Sequence, residues 1–188
     1  ILCGSSARKL KRSGANLLGG RAIRNVLFRL VSSEIPDFDI DRALNNGMLP
    51  RHYIIKNPGK TLQAYIGDYL NEEIKAEALT RNLSTFARFL EIAAISSGEM
   101  LNYKNIASEC GVSAPTIKEY FSILEDTMTG FMIPAYKKAI KRRVIQASRF
   151  YYFDVGITNY LLHRNNLQQG SPEYGQAFEQ FIMQELHA

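Results

Sequence analysis

Tyr103-Lys104-Asn105-Ile106-Ala107-Ser108-Glu109-Cys110, then Gly111-Val112-Ser113, then Ala114-Pro115-Thr116-Ile117-Lys118-Glu119-Tyr120-Phe121-Ser122-Ile123-Leu124, reads as two short helices around a tight break. Tyr103, Ile106, Ala107 and Cys110 fall at i, i+3, i+4 and i+7, as do Ile117, Tyr120, Phe121 and Leu124 (i, i+3, i+4, i+7), so each segment has one apolar face. Gly111 suits the stop of the first and Ser113 the N-cap of the second. A small residue at Ala107 and the glycine allow the two helices to cross closely.

Working outward, a longer helix is predicted from Leu83 to Ser97, capped by Asn82 and ended by Gly98. After Gly130 the period changes. Phe131–Tyr136 and Phe150–Phe153 are β-prone runs on either side of a charged segment, 137–149, which predicts a hairpin with a basic tip. Helix, short helix, turn, helix and basic hairpin is the order of a winged helix-turn-helix. Further helices are expected from Thr61, with Leu62, Tyr65, Ile66, Tyr69 and Leu70 on one face, and around Val155–His163 and Pro172–Leu186. Residues 7–30 read as a helical stretch, a Gly-rich turn and a strand, Ala22–Leu30.

The 188 residues are 46% hydrophobic, enough for a real core, and no apolar run reaches the roughly 20 residues of a membrane span. Cys3 and Cys110 form no CxxC pair, and His52, His163 and His187 lie far apart. A disulfide scaffold and a cysteine-based zinc site are therefore excluded, no metal site is expected, and the pattern suits a reducing cytoplasm. The apolar start at Ile1-Leu2-Cys3-Gly4 and a helix still running at Leu186 predict that the chain is a fragment.

The net charge of +5 divides unevenly. Residues 1–33 contribute +7, residues 137–149 contribute +6, and everything else contributes −8. In a helix-turn-helix that reads bases, the second helix enters the major groove. Here that helix sets Lys118 against Glu119, Glu125 and Asp126, which disfavours approach to phosphates. The hairpin is the better candidate for non-specific nucleic-acid contact, through Lys137, Lys138, Lys141, Arg142, Arg143 and Arg149 beside Tyr136, Tyr151 and Tyr152. Docking of a protein partner and a plain solvated loop are the competing readings.

Two motifs imitate a nucleotide site. Asn57-Pro58-Gly59-Lys60-Thr61 ends like a phosphate loop, but the earlier glycine that would let backbone amides wrap phosphates is replaced by Ile54. Phe150-Tyr151-Tyr152-Phe153-Asp154 resembles a strand ending in a magnesium-binding Asp. The expectation for both is structural: a turn before a helix, and an Asp that caps Val155-Gly156.

Set end to end, the chain resembles the later part of a family of prokaryotic AAA-superfamily P-loop ATPases. The likeness runs through Ile1-Leu2-Cys3-Gly4-Ser5-Ser6-Ala7-Arg8-Lys9-Leu10, Leu17-Leu18-Gly19-Gly20-Arg21-Ala22, Asp39–Leu44 and Gly47-Met48-Leu49-Pro50. It continues through Tyr65–Leu70, Cys110-Gly111-Val112-Ser113, Leu124-Glu125, Phe150–Gly156, Phe178-Glu179 and Glu185-Leu186. The resemblance implies a mainly α chain with short β elements. Residues 1–58 would be the end of an α/β ATPase core and linker, and residues 59–188 a winged-helix-like domain of unknown function. It further implies a Walker A and B upstream, a nuclease-like region downstream, and ATP and Mg as cofactors of a cytoplasmic parent enzyme. None of this would make residues 1–188 hydrolytic alone. By position it gives Ser5 and Ser6 the strand end that senses the γ-phosphate, where a hydroxyl can position the attacking water. It gives Arg21 a phosphate-stabilising or loop-fixing role. The expected functions are coupling of nucleotide state to a partner, non-catalytic nucleic-acid binding through 137–149, or protein–protein interaction within a homo-oligomer.

Overall fold

A computed structural model describes residues 26–68, 82–135 and 148–188. The described chain is mainly helical with one small antiparallel sheet. Its helices are α1 (Ile40–Asn46), α2 (Pro50–Ile54), α3 (Gly59–Asp68), α4 (Leu83–Ile95), α5 (Tyr103–Cys110), α6 (Ala114–Asp126), α7 (Val155–Leu161) and α8 (Pro172–His187). The strands are β1 (Gly130–Ile133) and β2 (Arg149–Tyr152), in register Gly130 with Tyr152 and Ile133 with Arg149.

The caps read from the sequence at Asn82 and Ser113 are in place, and Asn102 supplies a further one that the spacing did not single out. Asn82 accepts from the Thr85 amide, Asn102 from Lys104 and Asn105, and Ser113 from Thr116. Each satisfies amide groups that a helix start leaves without partners. Gly111 ends α5 in the left-handed region (φ +67°), and the Val112 amide returns to the Ala107 carbonyl at 3.0 Å. That closure turns the chain into α6 within three residues.

Two clusters hold the molecule together. The larger is aromatic: Phe89 lies 4.9 Å from Phe121 and Phe86 4.9 Å from Tyr120, while Phe150 extends the stack at 5.0 Å from Phe121. It joins α4, α5 and α6 to β2. Tyr152, fully buried, donates its hydroxyl to the Leu90 carbonyl at 2.8 Å, so the ring's one polar atom is satisfied inside the core. The smaller cluster packs Ala43, Leu44, Met48 and Tyr53 against Val155, Ala177 and Phe181. Segment 40–55 is thereby seated on α7 and α8.

Residues 98–101 run beside β2. The Gly98 amide donates to the Phe150 carbonyl, the Leu101 amide donates to the Ser148 carbonyl, and Met100 makes an isolated bridge with Arg149. The predicted strand Ala22–Leu30 differs from expectation. It is described from residue 26, and residues 26–30 are without regular structure. Its one backbone bond among the described residues is the Leu30 amide to the Met48 carbonyl, too little to fix a ladder.

Candidate functional site

The expected site residues divide sharply. Ser5, Ser6 and Arg21 lie outside the described residues, as do Lys137, Lys138, Lys141, Arg142 and Arg143. Arg149 is described at the start of β2. Its Nη1 donates to the Gly98 carbonyl at 2.6 Å and lies 3.5 Å from a Glu179 carboxylate oxygen, so this guanidinium is already engaged within the fold. The Glu179 carboxylate also accepts from the Tyr151 hydroxyl at 2.7 Å. On α6, Lys118 places its ammonium 5.5 Å above the Tyr103 ring, leaving Glu119 exposed on the same helix.

The Gly-Lys-Thr turn behaves as the start of a helix. The Gly59 amide donates to the Asn57 side chain, and the Thr61 hydroxyl donates to the Pro58 carbonyl at 2.8 Å. A phosphate loop needs those groups turned to the ligand.

Asp154 forms the most organised polar centre among the described residues, and the sequence shows only part of it. Its expected cap is present: Oδ1 accepts from the Gly156 amide at 2.9 Å. Oδ2 reaches across the chain to accept from Met48 at 2.7 Å and Leu49 at 3.2 Å. Gly47 is needed there, because a Cβ built on it would land on Asp154 Oδ1. Gly156 is confined in the same way by the Asn46 carbonyl. The buried side chains of Arg29 and His52 face this carboxylate electrostatically. Arg29 Nε and Nη2 and His52 Nδ1 are buried without a hydrogen-bond partner among the described residues. Asn159 adds a parallel tie, donating to the Leu44 carbonyl at 2.7 Å.

Burial pushes the Asp154 carboxyl up from its ordinary range, while the Met48 amide, the Arg29 guanidinium and the Gly156 amide draw it back. With no exposed surface, this carboxylate is closed to any substrate arriving from solvent. Its chemistry is that of a fastener, holding residues 47–49 against the start of α7.

His52 gives the centre a pH dependence. Burial lowers its pKa below 6.5 despite the opposing pull of Asp154, and the nearby Arg51 lowers it further. The folded state therefore binds this proton less readily than the unfolded chain does. The associated stability is present above pH 6.5 and is lost as pH falls through the lowered value. His187, lowered by burial and by Arg29, acts in the same direction. The melting temperature is expected to fall on acidification from neutral pH, and His52→Gln to flatten that fall. An unchanged pH profile in the variant would remove His52 as its source.

Among the described residues, no group of three or more His, Cys, Asp or Glu side chains is placed to hold a metal ion, and no helix is long and apolar enough to cross a membrane. Residues 37–168, well over half of the chain, match a family model described as a domain of unknown function (DUF8612). That span contains both sides of the Asp154 centre. No curated protein and no solved structure gives a significant match.

Proposed function

We propose, for a chain that belongs to the DUF8612 family, that it couples nucleotide state in an AAA-type ATPase to a partner. In this reading residues 59–188 act as a winged-helix-like module that transmits position and does not read bases. The carrying observation is the fastening of Met48 and Leu49 to Asp154, two residues past the end of β2. Movement of the segment leading into α2 is, in this reading, passed through Asp154 to the end of β2 and to α7. The element order α4, α5, α6, β1, β2, with residues 98–101 alongside β2, supports the winged arrangement. The ATPase part of the proposal rests on the family resemblance, and ATP and Mg belong to the proposed parent enzyme.

The nucleic-acid reading keeps one specific support, the six Lys and Arg of residues 137–149. Against it stand the acidic exposed face of α6 and the internal engagement of Arg149.

One experiment addresses both. ATP hydrolysis is measured for the intact gene product carrying Asp154→Asn or Asn159→Ala, with folding checked by melting. Coupling is expected to change turnover several-fold in a folded variant. An intact product without hydrolysis, or turnover unaffected by both variants, would overturn the proposal. In parallel, the salt dependence of duplex binding is compared with that of Lys137/Lys138/Lys141/Arg142/Arg143→Ala. If about four cations met phosphates, the slope of log K against log salt would be roughly −3.6 in the unaltered chain. Duplex binding with such a slope, lost in the variant, would favour the nucleic-acid reading.

A further inference from the structure

Residues 26–32 are held by few contacts for a segment that buries a charge. They are without regular structure up to the turn that starts at Ser32. The Leu30 amide donates to the Met48 carbonyl at 3.1 Å. The Ser32 amide and hydroxyl both donate to the Glu185 carboxylate, at 3.1 and 2.6 Å. Phe28 sets its ring edge-on to His187, 5.8 Å between centroids, and Leu30 packs against the smaller cluster. Leu27 is 98% exposed, so its side chain adds almost no burial to the docked segment.

Beside these ties, Arg29 is only 5% exposed. Its Nε and Nη2 form the guanidinium edge that matches both oxygens of a carboxylate, yet neither has a hydrogen-bond partner among the described residues. The carboxylates it faces are Asp154 and Glu185. Both are already engaged, Asp154 by the amides of Met48, Leu49 and Gly156, and Glu185 by Ser32. A guanidinium taken out of water without hydrogen bonds carries a desolvation cost that attraction at a distance does not offset. Docking of residues 26–32 therefore carries a penalty that opening relieves, because Arg29 regains water. The Asp154 fastener is separable from this event. Met48 meets Asp154 through its amide and Leu30 through its carbonyl.

We infer that residues 26–32 are a strap that opens as a local unit, releasing Arg29 to water while the Asp154 fastener stays closed. Closed, the strap ties the chain before Ser32 directly to Met48; open, it uncouples the two. The inference uses the strap's own contacts and holds with or without the ATPase reading.

Amide hydrogen exchange on the 188-residue chain, resolved by residue at neutral pH, tests it. After correction for intrinsic rates, the Leu30 and Ser32 amides should exchange about 100-fold faster than those of Ala93 in α4 and Phe121 in α6. The Met48 amide, held by Asp154, should exchange about tenfold more slowly than Leu30. Arg29→Met, close in length and without charge, should slow exchange at Leu30 and Ser32 by about tenfold. Ser32→Ala, which removes the hydroxyl tie to Glu185, should speed exchange at Leu30 by about tenfold and leave Ala93 and Phe121 unchanged. Those two core amides also report that each variant is folded. Strap amides that exchange only at the core rate, or in step with Met48, overturn the inference. So does faster or unchanged exchange in Arg29→Met, since the buried charge would then not be what opens the strap. An unmoved Leu30 rate in Ser32→Ala overturns it as well.

Discussion

Replacing Asp154 by Ala is expected to lower unfolding free energy by about 3–5 kcal/mol, the usual cost of removing one partner from a buried charged cluster. The loss has two sources. The amides of Met48, Leu49 and Gly156 lose their acceptor, and nothing else in the described surroundings accepts from them. Arg29 and His52 lose the negative charge they face, and Arg29 retains its positive charge in a buried position. Urea unfolding should show a lower midpoint, with Glu119→Ala as an exposed control within about 0.5 kcal/mol of the unaltered chain. Asp154→Asn should cost less, since one carbonyl oxygen survives. If Asp154→Ala were as stable as the control, Asp154 would not be the fastener between the two segments.

Gly47→Ala is the second large effect, expected at about 3 kcal/mol from two additive causes. Gly47 sits at φ +83° and ψ 178°, a backbone state that side chains other than hydrogen rarely adopt. The new methyl would also occupy the position of Asp154 Oδ1. Separating the causes requires the double variant Gly47→Ala/Asp154→Ala. Removing the carboxylate removes the collision but leaves the backbone strain, so the combined loss should fall short of the sum of the single losses. Strict additivity would show that the methyl and the carboxylate do not compete for the same space.

Much of the local architecture is legible in the residues. The caps at Asn82 and Ser113, the left-handed stop at Gly111 and the apolar faces of α5 and α6 follow from spacings of three and four. The hairpin partners also follow from a change to β-prone runs around a charged tip. Even the cap on α7 was readable, because Asp154 and Gly156 are two residues apart. The strand expected at Ala22–Leu30 shows the limit of this reasoning. A β-prone run becomes a strand only when another strand accepts its backbone, and residues 26–30 have no such ladder.

The Asp154 centre shows that limit most clearly. Gly47-Met48-Leu49-Pro50 is visible as a turn, and Phe150–Asp154 as a buried strand with an acidic end, but nothing in either string refers to the other. Their union spans 106 positions. Residue spacing alone yields α3 to α8, the caps at Asn82, Ser113 and Asp154, the paired β-prone runs and the two basic regions, because these depend on neighbours a few residues apart. Only the tertiary structure decided that Asp154 fastens residues 47–49, that Arg149 is engaged by Gly98 and Glu179, and that Leu27 stands in solvent. Those outcomes depend on which surfaces meet when the chain collapses, and burial then sets whether a charge is a contact point for solvent or part of the interior.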